Sequence, residues 1–200
     1  MASAVLGQKK DSILSSFINY SEREKCVKLI DLIWEFRYTK PKLALELGEE
    51  ANKIALKLED DNLEARLYNR LSVVHRGLTD LEKSMSYAEA AQKKGIAGGD
   101  SVEIGFSYNN IGGTYLLKNF TSLAIEHIAK ALSIFQSLKN KRGMSYGNVE
   151  LGSIYLRQQN YDKALFYFNN ALSIRREIGD RSGTATALIS IGRAQMGKGL

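Results

Sequence analysis

The chain has 200 residues, of which 44% are hydrophobic and 25% charged, with a net charge of +6. These values are those of an ordinary globular protein and argue against global disorder. A single cysteine excludes an internal disulfide framework, and two histidines leave little material for a zinc site or a histidine-based triad. Because the chain has only one proline, long uninterrupted helices are favoured. No apolar run approaches the roughly 18 residues of a membrane span.

The chain repeats itself with a period of 40 residues after an N-terminal leader or helix at 1–23. The segment Ala131–Ile134 reads Ala-Leu-Ser-Ile, and so does Ala171–Ile174. An apolar residue followed by glycine recurs in the same register at Ile111-Gly112, Leu151-Gly152 and Ile191-Gly192. A period of this length is typical of stacked repeats, in which each unit buries its apolar face against its neighbours.

The register divides the chain into five units without any insertion. Apolar residues within each unit recur at three- and four-residue spacing, which predicts two helices per unit. The units are 24–63, which is atypical and interpreted as a capping repeat, then 64–103, 104–143 and 144–183, and finally 184–200, which is interpreted as the first helix of a truncated fifth repeat.

Polar residues that cap helices occupy the ends of the predicted elements. We expect side chains before the first helices of successive units to accept hydrogen bonds from orphan backbone amides, namely those of Asp60, Asp100, Asn140 and Asp180. Asp80 and Asn160 are placed to cap second helices, and Pro41 falls near the start of another. Glycine within a helix costs about 0.8–1 kcal/mol relative to alanine. Its recurrence at Gly112, Gly152 and Gly192 therefore predicts close helix packing.

Unit 144–183 carries the full pattern of the repeat: Leu151-Gly152, then Tyr155, Ala164, Phe168 and Ala171. This pattern resembles that of tetratricopeptide repeats, and the 40-residue period resembles the branch found in kinesin light chains and LGN-type scaffolds. The resemblance implies an all-α solenoid of antiparallel helix pairs, wound as a right-handed superhelix whose first helices line a concave face. It also implies a non-enzymatic scaffold that uses no cofactor and holds a protein or an extended peptide on that face.

The resemblance places the partner-binding groove on the first helices, around each Leu-Gly pair. The groove residues implied in this way are Asn69, Arg70, Val73, Arg76, Phe106, Asn109, Asn110, Leu116, Tyr146, Val149, Glu150, Ser153, Leu156, Ile189 and Arg193.

The implied groove residues have different chemical roles. An asparagine amide can both donate to and accept from a peptide backbone, as Asn109 and Asn110 are expected to do. Arg70 and Arg76 could receive a carboxylate in bidentate fashion. A structural alternative stays open, in which the asparagines bond across repeats and Phe106 and Tyr146 only pack between them.

The partner and the compartment are less closely defined by the sequence. Basic residues are concentrated from residue 104 onward, but without interleaved aromatic residues they do not favour a nucleic-acid partner. Self-association through the open C-terminal repeat is a further prediction. The N-terminal segment Gln8–Leu14 resembles the start of repeat-containing bacterial sensor proteins. The alternative function is therefore the sensory input domain of a histidine kinase, cyclase or transcriptional regulator. Cytoplasmic and extracytoplasmic locations both remain open.

Overall fold

In the computed structural model the described residues, 2–199, form ten α-helices and no β-strand, with side chains described from Lys9 onward. The helices are α1 (Ala2–Ser16), α2 (Glu22–Phe36), α3 (Pro41–Leu58), α4 (Asp61–Gly77), α5 (Leu81–Gly98), α6 (Ser101–Leu117), α7 (Thr121–Ser137), α8 (Lys141–Arg157), α9 (Tyr161–Glu177) and α10 (Arg181–Lys198). The predicted all-α class is confirmed. Met1 and Leu200, at the ends of the predicted leader and of the fifth unit, lie outside the described residues. None of the described helices is long and apolar enough to cross a membrane.

The first helices of successive repeats follow the predicted 40-residue period. Helices α4, α6, α8 and α10 begin 40 residues apart, each three residues before the unit boundary drawn from the sequence. The predicted caps are confirmed: Asp60 Oδ1 accepts from the backbone amides of Asn62 and Leu63, and the residues 40, 80 and 120 further on make equivalent bonds. Because these bonds satisfy orphan amides, each first helix has a fixed starting point.

The turns between helices share one backbone geometry. A residue in the left-handed conformation ends each helix from α3 to α9, at Glu59, Thr79, Gly99, Asn119, Lys139, Gln159 and Gly179. At most of these turns the next amide donates to the carbonyl five residues earlier, as Asp80 N does to His75 O at 3.0 Å. This bond satisfies a carbonyl at the helix end and reverses the chain direction. The predicted second-helix caps, Asp80 and Asn160, and the proline at the start of α3 are also confirmed.

The chain divides into two units, the first ending at Glu103 and the second beginning at Ile104. In the first unit, the core is formed where α2, α3 and α4 pack together, with fully buried side chains such as Leu29, Leu47 and Leu67. Helix α1 is joined to this core by Ile13 and Leu14, and by an ion pair 3.4 Å long between Lys10 and Glu50.

In the second unit, two apolar clusters follow the repeats. One joins α6, α7 and α8 through Leu116, Ile128 and Ile154, and the other joins α8, α9 and α10 around Phe168. Side chains at the same register position therefore perform the same packing role in successive repeats. The predicted stacking of antiparallel helix pairs is confirmed within this unit.

Two of the three register glycines pack as the sequence predicts. A Cβ atom added to Gly112 would lie 2.6 Å from Ile128 Cγ1, and one added to Gly152 would lie 2.5 Å from Phe168 Cε1. The third differs, because a Cβ on Gly192 would meet no atom within 4 Å. Close packing therefore accounts for glycine at the first two positions and does not account for it at Gly192.

Candidate functional site

In the first unit, the implied groove residues lie on α4 with unequal exposure. Arg70 and Arg76 are half-buried, whereas Val73 and Asn69 are buried. Asn69 Nδ2 donates to the backbone oxygen of Glu103 at 2.9 Å and to its Oε2 at 2.8 Å. The structure thus assigns the donor group of Asn69 to a contact between successive first helices.

In the second unit, the implied residues of α6 are enclosed. Phe106 lies 5.0 Å from Phe135 and 6.1 Å from Tyr146, measured between ring centroids, and Leu116 belongs to an apolar cluster of the core. Asn110 is buried as well, and its backbone oxygen accepts from Thr114 Oγ1 at 2.9 Å. Packing between repeats therefore explains the two apolar residues of this set.

Asn109 differs from the rest of α6, and also from Asn69 at the equivalent position of the preceding repeat. Its side chain is 4% exposed, and its Oδ1 is shielded from solvent and has no hydrogen-bond partner in the described part of the chain. The position equivalent to Glu103 is Gly143, whose missing side chain makes room for Phe135, since a Cβ there would lie within 2.5 Å of that ring. Gly143 thus offers Asn109 Nδ2 no carboxylate of the kind that Glu103 offers Asn69. Independently of this, Asn109 Oδ1 is a buried acceptor, an arrangement that costs free energy unless a ligand or water completes it.

The implied residues of α8 and α10 are more open. Tyr146, Val149, Glu150, Ser153 and Leu156 are half-buried, and Val149 and Leu156 contact the cluster around Phe168. Ser153 Oγ donates to Val149 O at 2.9 Å, so this hydroxyl group is used within its own helix. Ile189 and Arg193 on α10 are exposed, and Leu188 and Met196 of the same helix add further exposed apolar surface.

The two histidines are packed against aromatic rings. His75 stacks on Tyr87 with ring centroids 5.3 Å apart, and its Nδ1 lies 3.3 Å from Asp80 Oδ2. Burial lowers the pKa of both His75 and His127, and Asp80 opposes this effect at His75. His127 lies between Tyr108 and Tyr115. In the part of the chain that the structure describes, no three acidic, histidine or cysteine side chains are grouped as metal ligands.

Two further surfaces were not found from the sequence. A groove of about 510 Å³ is lined by α7, α8 and α9, with Leu132, Asn148, Leu151 and Tyr167 among its lining residues. Most of its lining residues lie on the second helices α7 and α9, whereas the resemblance implied a groove on the first helices. The other surface is a cluster of arginine and aromatic side chains around Trp34 in the first unit. The only sign of it in the sequence is that unit 24–63, which contains Trp34, departs from the repeat pattern.

Comparisons with known proteins agree with this architecture. Residues 143–198 match a family model described as tetratricopeptide repeat. No sequence among the curated proteins matches the chain. Among solved structures, BtubC (BKLC) from P. vanneervenii is similar with a TM-score of 0.67 and 19% identity, over 98% of this chain and 82% of that one.

Two other solved structures resemble the chain. One is a STAND (Signal Transduction ATPase with Numerous Domains) protein with a tetratricopeptide repeat sensor from Pyrococcus horikoshii, with a TM-score of 0.65 and 15% identity over 98% of this chain. The other is the apo form of RapI, with a TM-score of 0.63 and 20% identity over 88% of this chain. The chain spans 31% of the STAND protein and 64% of RapI.

These likenesses extend the fold assignment beyond the segment that matches the family model. At identities of 15–20% they show a shared fold and nothing about a shared ligand. The resemblance to particular branches of the family therefore stays a prediction. The family match identifies residues 143–198 as tetratricopeptide repeats, and the structural likenesses show the same helical-repeat fold over most of the chain.

Proposed function

We propose that this chain is a non-enzymatic module that binds an extended segment of a partner protein along the first helices of its second unit, α6, α8 and α10. The tetratricopeptide fold is consistent with a role in protein interactions. The single observation that carries the proposal is Asn109, a nearly buried amide whose Oδ1 accepts no hydrogen bond from the described residues. A peptide backbone supplies the N–H donor that this oxygen lacks, whatever the peptide's side chains are.

The neighbouring first helices add surface suited to the side chains of such a segment. Tyr146 and Val149 on α8 are half-buried, and Ile189 on α10 is 58% exposed. These side chains offer apolar contacts, and the exposed guanidinium group of Arg193 offers a charged one. Residues 104–200 contain twelve basic and five acidic side chains, so an acidic or neutral partner is favoured over a basic one.

The test begins with peptides selected from a random library displayed on phage against the immobilised chain. The affinities of the selected peptides are then measured by titration calorimetry for the wild type and for Asn109→Ala. We expect Asn109→Ala to weaken binding by about threefold to tenfold, which is the usual effect of one lost hydrogen bond. The melting temperature should change little, because Oδ1 of the wild-type side chain accepts no hydrogen bond from the described residues.

Asn69→Ala is the matched control, because Asn69 occupies in the preceding repeat the position that Asn109 occupies in its own. This variant loses the hydrogen bonds to Glu103, so we expect a lower melting temperature and unchanged peptide affinity. If Asn109→Ala instead lowered the melting temperature and left the affinity unchanged, Asn109 would be a packing residue and the proposed groove would be wrong.

A second candidate function is a sensory input domain of a larger signalling protein. The STAND protein with a tetratricopeptide repeat sensor favours it, because this chain resembles less than a third of that protein's length. Sequencing the complete reading frame tests the idea. An adjoining kinase, cyclase or DNA-binding module would support it, and a reading frame without an output module would contradict it.

A further inference from the structure

The only tryptophan of the chain, Trp34, lies near the end of α2 and is covered by arginine. The guanidinium carbon of Arg37 lies 3.8 Å from the centroid of the indole ring and 4.6 Å from that of Tyr38. Arg37 Nη1 also donates to the backbone oxygen of Trp34. Two aromatic contacts and one hydrogen bond therefore hold this cation in place, so that little side-chain entropy remains to be lost on binding.

A second arginine reaches the same ring from α4. The guanidinium carbon of Arg70 lies 4.5 Å from the centroid of Trp34. Two cations, one directly after α2 and one on α4, are thus brought to one indole, although like charges repel each other. Attraction to the ring face offsets part of this repulsion, and an anion bound beside them would offset more.

The two arginines differ in their acidic neighbours. Arg70 acts on the buried carboxylate of Glu103, whose pKa it tends to lower. Arg37 makes no ion pair with any of the described residues, and its Nε is shielded from solvent without a hydrogen-bond partner. A guanidinium group has five N–H donors, and only Nη1 of Arg37 is engaged by the described residues. Arg37 therefore has both an uncompensated charge and unused donors.

We propose that Arg37, supported by Trp34 and Arg70, forms a binding site in the first unit for a carboxylate group of an acidic peptide segment. The planar fork of a guanidinium group matches a carboxylate in bidentate geometry, and Arg37 is already held in one orientation. Tyr38, which is 65% exposed, leaves the site open to solvent on one side. The inference rests on the peptide-binding function proposed above and adds the chemical class of one peptide residue.

The carboxylate could belong to an Asp or Glu side chain or to the C-terminus of the partner. Three acetylated hexapeptides separate these sources: alternating Glu and Ala with an amidated C-terminus, the same peptide with Gln for Glu, and the Gln peptide with a free C-terminus. None contains an aromatic residue, so the emission of Trp34 reports binding at this site directly. Titrations at constant ionic strength keep general screening the same in all three.

We expect the Glu peptide to change Trp34 emission in a saturable way, at concentrations about tenfold below those that the amidated Gln peptide requires. Arg37→Gln should remove that tenfold advantage while the response to the Gln peptide stays unchanged. Arg37→Lys retains the charge without the planar fork and should give an intermediate affinity. A saturable response to the Gln peptide with a free C-terminus would assign the site to a terminal carboxylate.

Lys93→Gln is the matched control, because it removes the same charge from an exposed position on α5 in the same unit. If Lys93→Gln and Arg37→Gln reduced the tenfold advantage of the Glu peptide equally, general charge attraction would explain the effect, and the proposal would be overturned. Equal responses to all three peptides would overturn it as well. If phage-selected peptides still bound in an Asn109-dependent way, only this inference would fail, whereas the absence of any peptide binding would remove the proposed function itself.

Discussion

Asn69 and Asn109 occupy the same position of successive repeats, yet of the two only Asn109 has a buried amide oxygen without a hydrogen-bond partner among the described residues. One difference lies 34 residues further on, where Glu103 accepts from Asn69 Nδ2 and Gly143 has no side chain that could accept from Asn109 Nδ2. The sequence pattern is the same at both asparagines, so the pattern alone could not distinguish a packing amide from an open one. That distinction depends on which atoms pack around each amide and required the structure.

Glu103 carries the clearest pH dependence at the scale of a single residue. Burial raises the pKa of its carboxyl group above the ordinary 4.5, against the lowering effects of Arg70 and of the hydrogen bond from Asn69. The folded chain therefore holds this proton at pH values where the unfolded chain has lost it. For a group of this kind the free energy of unfolding falls as pH rises, from the ordinary carboxyl pKa up to the raised one.

We predict that Glu103→Gln makes the chain more stable at pH 7 and weakens the loss of stability that occurs as pH rises above 4.5. The amide oxygen of glutamine can still accept from Asn69, while the buried charge is gone. Urea unfolding of both proteins across this range measures the difference, with Glu89→Gln on the exposed face of α5 as the control. If Glu103→Gln were less stable at pH 7, attraction to Arg70 would outweigh the cost of burial.

At the scale of helices, the sequence predicted most of what the structure shows, because the signals are local. A cap acts on amides two or three residues away, and apolar spacing acts within two turns, so Asp60 or Asn140 could be placed without knowing the fold. The packing around the glycines could not be predicted from local signals alone. Gly152 and Gly192 look alike in register, but only Gly152 faces a described second-helix side chain, Phe168.

This difference gives a matched pair of substitutions. We predict that Gly152→Ala lowers stability by about 1–3 kcal/mol, because the new Cβ would lie 2.5 Å from the buried ring of Phe168. Gly192→Ala should raise stability by up to about 1 kcal/mol, because alanine is the better helix former and its Cβ meets no atom within 4 Å. Thermal and urea unfolding of the two variants measure these changes. Equal effects in both would contradict the packing explanation for the glycine in α8.

At the scale of the whole chain, packing is uneven along the second unit. Helix α8 contacts α7, α9 and α10, whereas α10 contacts α8 and α9 but not α7. Three large apolar residues of α10 remain exposed: Leu188, Ile189 and Met196. In repeat proteins, stability is approximately the sum of each repeat's own stability and its contacts with neighbouring repeats. Local opening should therefore cost less free energy at α10 than at α8.

We predict that backbone amides in α10 exchange hydrogen for deuterium faster than those in α8, with α9 in between. Mass spectrometry of peptic fragments from the native chain measures the order. Gly192→Ala should slow exchange in α10 by up to about fivefold, because about 1 kcal/mol of added helix stability raises the cost of opening by that factor. Exchange in α8 should respond less, since its protection also depends on α7. If the three helices exchanged at one common rate, the second unit would open as a single cooperative block, and uneven packing would not control its local stability.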